Sequence, residues 1–157
     1  MDNHEPEVKD LIFESYMAAI KNSLGAHTWR QYFATVDGQR QEVTRDGQLS
    51  SAYFVTSILR MFDLIKEVHL TVAKTERDLV DMGWVQIDEP RPGAVLVYEA
   101  QPFGDERHSH IGFCLDGQRA ISHSTVERVP VEHNLGQGSD GRPRAITARY
   151  WQAKLEA

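Results

Sequence analysis

The sequence lacks the features that define several common classes of protein. It has one cysteine, Cys114, among 157 residues, so no disulfide can form within the chain. No apolar run approaches the ~20 residues that a membrane-spanning helix needs. The formal net charge of −6 provides no broad basic surface, so neither nucleic acid nor an anionic membrane is expected as a partner.

The first residues also lack the features of a secretory signal. Residues 1–7 are polar and acidic, with no basic segment followed by an apolar one. The expected localisation is therefore the cytoplasm, or the periplasm or exterior reached by a route that needs no such signal. There is no internal repeat or low-complexity segment, and the length predicts one domain spanning residues 1–157.

What the sequence does contain is a change of hydrophobic period near its midpoint. Apolar residues at helical spacing predict helices over 8–24, 51–66 and 75–83. Strands are predicted over 92–98, 109–115, 120–123, 126–131 and 145–151. Asp37-Gly38 and Asp46-Gly47 are turn dipeptides compatible with a short hairpin between them, and Asp116-Gly117 predicts a tight turn between two later strands. Helices followed by an antiparallel sheet predict an α+β fold.

The second predicted helix begins near Ser50 and Ser51, and this start has two interpretations. A serine at the beginning of a helix is most often an N-cap. A nucleophile there would instead lie at the positive end of the helix dipole, near backbone N–H groups that can hold an oxyanion. The effect is large for cysteine, whose thiolate is the reactive form, and much weaker for serine, which needs an adjacent base.

Two histidines on neighbouring predicted strands could supply that base. His110 lies at the start of one strand and His123 at the end of the next. With a hairpin turn near Gly117, the two side chains are expected to lie almost opposite each other. One imidazole could then act as the base while the other fixes its orientation and tautomer. The alternative is that each is a surface or partly buried histidine without a catalytic role.

Taken in order, these segments resemble the NlpC-type cysteine peptidases, which have a papain-like fold. The matching stretches are Ser51-Ala52-Tyr53-Phe54-Val55, Pro92-Gly93-Ala94-Val95, His110-Ile111-Gly112-Phe113 and Ile121-Ser122-His123. The resemblance implies a catalytic core over 45–130, a helical extension over 1–30, and a nucleophile-bearing helix packed on an antiparallel sheet. It assigns Ser51 to the nucleophile position, His110 to the base and His123 to the orienting residue. Tyr32 is the candidate for the substrate-binding tyrosine found upstream of the nucleophile in this family.

The resemblance also implies an activity, which is hydrolysis of an amide bond by a thiol peptidase or amidase. The implied substrate and partner is a peptide or muropeptide of the bacterial cell wall, and no metal or organic cofactor is needed. Two positions depart from the family pattern. Ala94 replaces an aspartate with no expected chemical role, whereas Ser51 replaces the nucleophilic cysteine and bears directly on activity.

Three explanations of Ser51 remain open from the sequence. It could be a deliberate cysteine-to-serine change that inactivates an enzyme, a natural change in a pseudo-enzyme that binds peptide or muropeptide, or the nucleophile of a working serine hydrolase. A site built for a thiolate–imidazolium pair gives little help in deprotonating an alcohol. We therefore favour the inactivated thiol peptidase, with the binding module as the alternative.

Other residues with reactive side chains receive structural interpretations. Cys114 lies four residues after His110, about 13 Å along a strand, and is predicted to be a buried structural cysteine. The histidines that could suggest a metal site are His108, His110, His123 and His133. No cysteine or carboxylate completes a recognisable ligand spacing with them, so no metal is expected. The aromatic residues Trp29, Tyr32 and Phe33 could line a substrate cleft beside the start of the second helix, but such a cluster more often belongs to the core.

Overall fold

A computed structural model describes residues 3–156, so the first two residues and the last residue of the predicted domain lie outside the described part. The helices are α1 (Ile12–Asn22), α2 (Ser51–Met61) and α3 (Val72–Asp81), followed at the end by a 3-10 helix (Ala153–Glu156). The strands are β1 (Phe33–Val36), β2 (Gln39–Glu42), β3 (Val85–Gln86), β4 (Val95–Phe103), β5 (Glu106–Cys114), β6 (Arg119–His123), β7 (Pro130–Asn134) and β8 (Ile146–Trp151). Within residues 3–156, no helix combines the length and the apolar character that crossing a membrane requires.

Six strands form one antiparallel sheet in the order β3-β8-β4-β5-β6-β7, while β1 and β2 form a separate hairpin. The predicted α+β class is confirmed. The turn between β5 and β6 is held by the Asp116 carboxylate, which accepts the backbone N–H groups of Gln118 and Arg119, both at 2.8 Å. This turn fixes which residues of β5 and β6 lie opposite each other.

Helix α2 is anchored on the sheet by Phe54, which is fully buried. Its ring lies edge-on to Phe113 of β5 and to Trp29, with centroid distances of 5.4 and 4.8 Å. Burying a side chain of this size contributes about 1.5–3 kcal/mol, so the contact holds the start of α2 close to β5 and β6. Trp29 is itself buried, as predicted for the core, whereas Tyr32 and Phe33 of the same aromatic cluster are 37% and 50% exposed, so the prediction was wrong for them.

Helix α1 belongs to the same hydrophobic core. Tyr16 is fully buried, its ring lies edge-on to Phe113 at 5.8 Å, and its hydroxyl donates to the Gly93 carbonyl at 2.7 Å. Gly93 has a φ of +93°, and a Cβ there would lie 3.1 Å from the Tyr16 ring, so this turn favours glycine. With α1 before it and β8 after it, the core extends beyond the range 45–130 that the resemblance covers.

Some predicted boundaries were wrong. Helix α3 begins three residues before Thr75, because the Thr71 hydroxyl accepts the Lys74 backbone N–H at 3.3 Å and caps the helix there. Helix α2 ends five residues earlier than expected. The strand expected over 126–131 begins only at β7, and the two-residue strand β3 is too short to leave a periodic pattern.

Candidate functional site

Ser51 is the first residue of α2 and borders a cavity of about 490 Å³. Ser50 occupies the N-cap position, but its hydroxyl makes no capping bond and is buried without a partner. The first intrahelical bond runs from the Phe54 N–H to the Ser50 carbonyl at 2.9 Å. The N–H groups of residues 51–53 therefore make no hydrogen bond within the described chain, and a side-chain cap at Ser50 is ruled out.

Glu42 organises the loop that leads into α2. Its carboxylate accepts the backbone N–H groups of Tyr32, Thr44 and Asp46 at 2.7–2.9 Å, and the Thr44 hydroxyl at 2.7 Å. Burial alone would raise the pKa of Glu42, but these hydrogen bonds together lower it from 4.5 to about 2. One charged side chain thus fixes the conformation of the segment that precedes Ser51.

Removing the charge of Glu42 is expected to destabilise the protein. Glu42→Gln should lower the free energy of unfolding at pH 7 by about 1–3 kcal/mol, because a hydrogen-bonded charge is lost from a partly buried loop. In the unchanged protein, stability should fall as the pH drops from 4.5 towards 2, since the unfolded chain binds the proton first. Urea unfolding at several pH values measures both effects.

A matched control for this experiment is Glu89→Gln, which changes an exposed glutamate. Its unfolding free energy at pH 7 should stay within about 0.5 kcal/mol of the unchanged protein, as for most surface substitutions. Equal losses in Glu42→Gln and Glu89→Gln would contradict the organising role of Glu42. So would an acid-induced loss of stability that Glu42→Gln does not reduce.

His110 on β5 borders the same cavity as Ser51 and is 3% exposed. Its Nε2 lies 2.9 Å from the Ser122 Oγ on β6. Its Nδ1 has no hydrogen bond to a described residue and is not among the fully buried atoms without a partner, so it keeps some accessible surface on a side chain that lines the cavity. Burial, helped by the charges of Arg144, His133 and His123, lowers the pKa of His110 well below 6.5 and keeps its ring neutral.

Ser122 connects His110 to a second histidine. The Ser122 Oγ lies 2.7 Å from the Nε2 of His133 on β7, and the Nδ1 of His133 lies 2.9 Å from the Asn134 carbonyl oxygen. Tyr98 packs beside both imidazole rings, with centroid distances of 5.8 Å to His110 and 5.9 Å to His133. The hydrogen bonds therefore run without a break across β5, β6 and β7, and Tyr98 of β4 contributes ring packing only, because its buried hydroxyl has no partner.

His123 does not lie opposite His110, which corrects the prediction. Ser122 pairs with Gly112, so Ser122 shares a sheet face with His110, and His123, the next residue, points to the other face. The His123 ring lies 6.2 Å from Phe54 and is 1% exposed. Burial lowers the pKa of His123 to about 4, although a contact with the Gly47 backbone raises it in part. Neither ring nitrogen makes a hydrogen bond of normal geometry. The residue that contacts His110 is therefore Ser122.

Two other candidates from the sequence lie away from the cavity lining. Tyr32 is 37% exposed and packs edge-on against Tyr53 at 5.1 Å. Cys114 is fully buried as predicted, donates to the Asp116 carbonyl at 3.1 Å, and has its pKa raised to about 11 by burial. In the described part of the chain, no three histidine, cysteine, aspartate or glutamate side chains are grouped as a metal site.

The charged lining of the cavity was not foreseen from the sequence. Arg107 and Arg144 border it, and Asp140 is the one acidic side chain among the described lining residues. Arg144 donates to the carbonyls of Glu99 at 2.8 Å and His108 at 2.6 Å, and it forms no ion pair within the described residues. The carboxylates of Asp140 and Glu99 act on Arg144 only at longer range, so its guanidinium can still pair with a ligand.

Comparison with known proteins assigns neither a family nor a function to this site. No protein-family model matches the sequence, and no curated protein matches it. The function of the cavity therefore has to be inferred from its side chains and their chemistry.

Proposed function

We propose that the cavity is the site of an amide hydrolase with the papain-like NlpC type of fold, position 51 being the nucleophile and His110 its base. One observation carries the proposal: Ser51, at the uncapped start of α2, and the neutral His110 border the same cavity. Attack on an amide carbonyl requires a nucleophile, a base and backbone N–H groups that are free to bind the oxyanion.

The mechanism assigns one step to each part. With cysteine at position 51, His110 accepts the thiol proton at Nδ1, and the thiolate attacks the substrate carbonyl carbon. The N–H groups of residues 51–53 hold the resulting oxyanion. His110 then returns the proton to the leaving amine, and water, deprotonated by the same ring, hydrolyses the acyl-enzyme. In the chain as it stands, serine occupies this position, and its far higher pKa makes hydrolysis slow or absent.

The proposed substrate is a peptide that carries carboxylate groups, with bacterial cell-wall stem peptides as the first choice. Arg107 and Arg144 outnumber the single acidic lining residue, Asp140, and Arg144 has no carboxylate partner within the described residues. An arginine held by backbone carbonyls presents a fixed cationic group, which suits recognition of a carboxylate.

Replacing Ser51 with cysteine tests the proposal. Ser51→Cys is expected to gain hydrolysis of muropeptides, followed by chromatography of the released fragments, and rapid alkylation by iodoacetamide, located by mass spectrometry. The reason is that a thiol at a helix N-terminus forms its thiolate readily. Cys114, whose pKa is raised to about 11 by burial, should label slowly and serves as the internal reference.

The matched control is Ser50→Cys, which puts the thiol one residue earlier, at a position that is 1% exposed. It should label slowly and cleave nothing. Rapid alkylation of Ser51→Cys without cleavage would exclude these substrates, and the absence of both reactions would contradict the nucleophile assignment. Equal behaviour of the two variants would also count against position 51.

The serine itself favours a second candidate function, that of a peptide-binding module without hydrolysis. The Ser51 hydroxyl makes no hydrogen bond to a base among the described residues, and the ring of His110 bonds to Ser122 instead. Calorimetric titration of the unchanged chain with muropeptides measures binding directly. Binding without cleavage, both before and after Ser51→Cys, would support the module and contradict the enzyme.

A further inference from the structure

We propose that Ser122 and His133 are positioning residues that fix the tautomer of His110, leaving its Nδ1 without a proton and facing the cavity. The hydrogen bonds run across three adjacent strands, from His133 on β7 through Ser122 on β6 to His110 on β5. The catalytic part of this inference rests on the proposed function, whereas the tautomer itself does not.

The direction of these hydrogen bonds follows from the Asn134 carbonyl oxygen, which can only accept. The Nδ1 of His133, 2.9 Å away, must therefore carry a proton. In a neutral imidazole the other nitrogen, Nε2, is then an acceptor, so the Ser122 hydroxyl donates to it at 2.7 Å. The Ser122 oxygen, having used its proton, accepts from the Nε2 of His110 at 2.9 Å. His110 thus carries its proton on Nε2.

The reverse direction would need His133 to carry two protons. Ser122 would then accept from His133 and donate to His110, which would place the His110 proton on Nδ1 and remove the base from the cavity. Burial lowers the pKa of His133, so its neutral form predominates at neutral pH and the first arrangement holds.

The packing around Ser122 keeps these distances short. Gly112 lies opposite Ser122 in the ladder, and a Cβ at Gly112 would lie 2.7 Å from the Ser122 Cβ. Any larger residue would push the two strands apart and lengthen the bond between Ser122 and His110. Tyr98, which is fully buried, packs against the rings of both His110 and His133 and limits their rotation.

Nuclear magnetic resonance of the unchanged chain tests the tautomer directly. Two-bond correlations between ring carbon-bound protons and ¹⁵N nuclei distinguish the protonated nitrogen of each imidazole. We expect the proton on Nε2 in His110 and on Nδ1 in His133. A proton on Nδ1 of His110, or equal populations of its two tautomers, would overturn the proposal without any variant being made.

Ser122→Ala should convert His110 to a mixture of tautomers, and Ser122→Thr, which keeps a hydroxyl, should restore the single form. The matched control is Ser124→Ala, because Ser124 is also a fully buried serine, but its hydroxyl bonds to Val126, Glu127 and Ser139 and not to a histidine. Should Ser122→Ala not fold, His133→Leu removes the acceptor of the Ser122 proton, so Ser122 can then either donate to His110 or accept from it, and the His110 tautomers should again be mixed. An unchanged His110 tautomer in the folded variant would contradict the inference.

Kinetics in the Ser51→Cys protein separates this inference from the proposed function. Adding Ser122→Ala is expected to lower kcat by roughly 10- to 100-fold with little change in KM, a part of the ~10²–10⁴-fold that a positioned base contributes. If Ser51→Cys cleaves nothing, the proposed function fails while the tautomer measurement still decides the hydrogen-bond direction. If it cleaves and Ser122→Ala leaves kcat unchanged, the positioning role fails alone.

Discussion

In the Ser51→Cys protein, replacing His110 with alanine is expected to lower kcat/KM for a muropeptide by roughly 10²–10⁴-fold, the contribution of a positioned general base. His110 borders the same cavity as position 51 and is kept neutral by burial, so it is suited to accept a proton. Steady-state hydrolysis measures the loss. His27→Ala, which changes an exposed histidine, is the control and should stay within a few-fold. A comparable loss in both variants would contradict the assignment.

The pH dependence of the same reaction provides a second signature of His110. A base acts only when unprotonated, and a lowered pKa extends the unprotonated form to more acidic solution. Because burial and the charges of Arg144, His133 and His123 lower the pKa of His110 below 6.5, the acid limb of kcat/KM should lie below pH 6.5. An acid limb above that value, or one that persists unchanged in His110→Ala, would identify another base.

Local sequence predicts the features of the fold and of the site that do not depend on strand register. The apolar period after residue 51 predicts where α2 begins, and the position of His110 in a strand follows from the pattern around it. The third member of the site depends on register. Because strand side chains alternate, an error of one residue exchanges Ser122 for His123 and moves the side chain to the opposite face.

The remaining features come from contacts between residues far apart in the chain, which local patterns do not encode. Arg144 reaches the His108 carbonyl across 36 residues, and Tyr16 reaches the Gly93 carbonyl across 77. Neither contact has a periodic or compositional signature. The cationic lining of the cavity and the place of α1 in the core therefore emerge only when the sheet brings these segments together.

The largest loss of stability is expected at Phe54, since it joins α2 to the sheet. Phe54→Ala should lower the free energy of unfolding by about 3–5 kcal/mol, the usual cost of truncating a buried phenylalanine. The ring is fully buried, and its neighbours are Trp29, Phe113 and His123, at centroid distances of 4.8, 5.4 and 6.2 Å. Urea denaturation followed by circular dichroism measures the change.

The control for this loss is Met61→Ala, in the same helix but 66% exposed, where the change should be within about 0.5 kcal/mol. A loss below 1 kcal/mol for Phe54→Ala would mean that α2 is held mainly by other contacts. Because Phe54 lies one turn after Ser51, its truncation should also loosen the start of α2. When Ser51→Cys is combined with Phe54→Ala, the thiol at position 51 should therefore no longer be alkylated faster than Cys114. When Ser51→Cys is combined with Met61→Ala, the thiol at position 51 should still react faster.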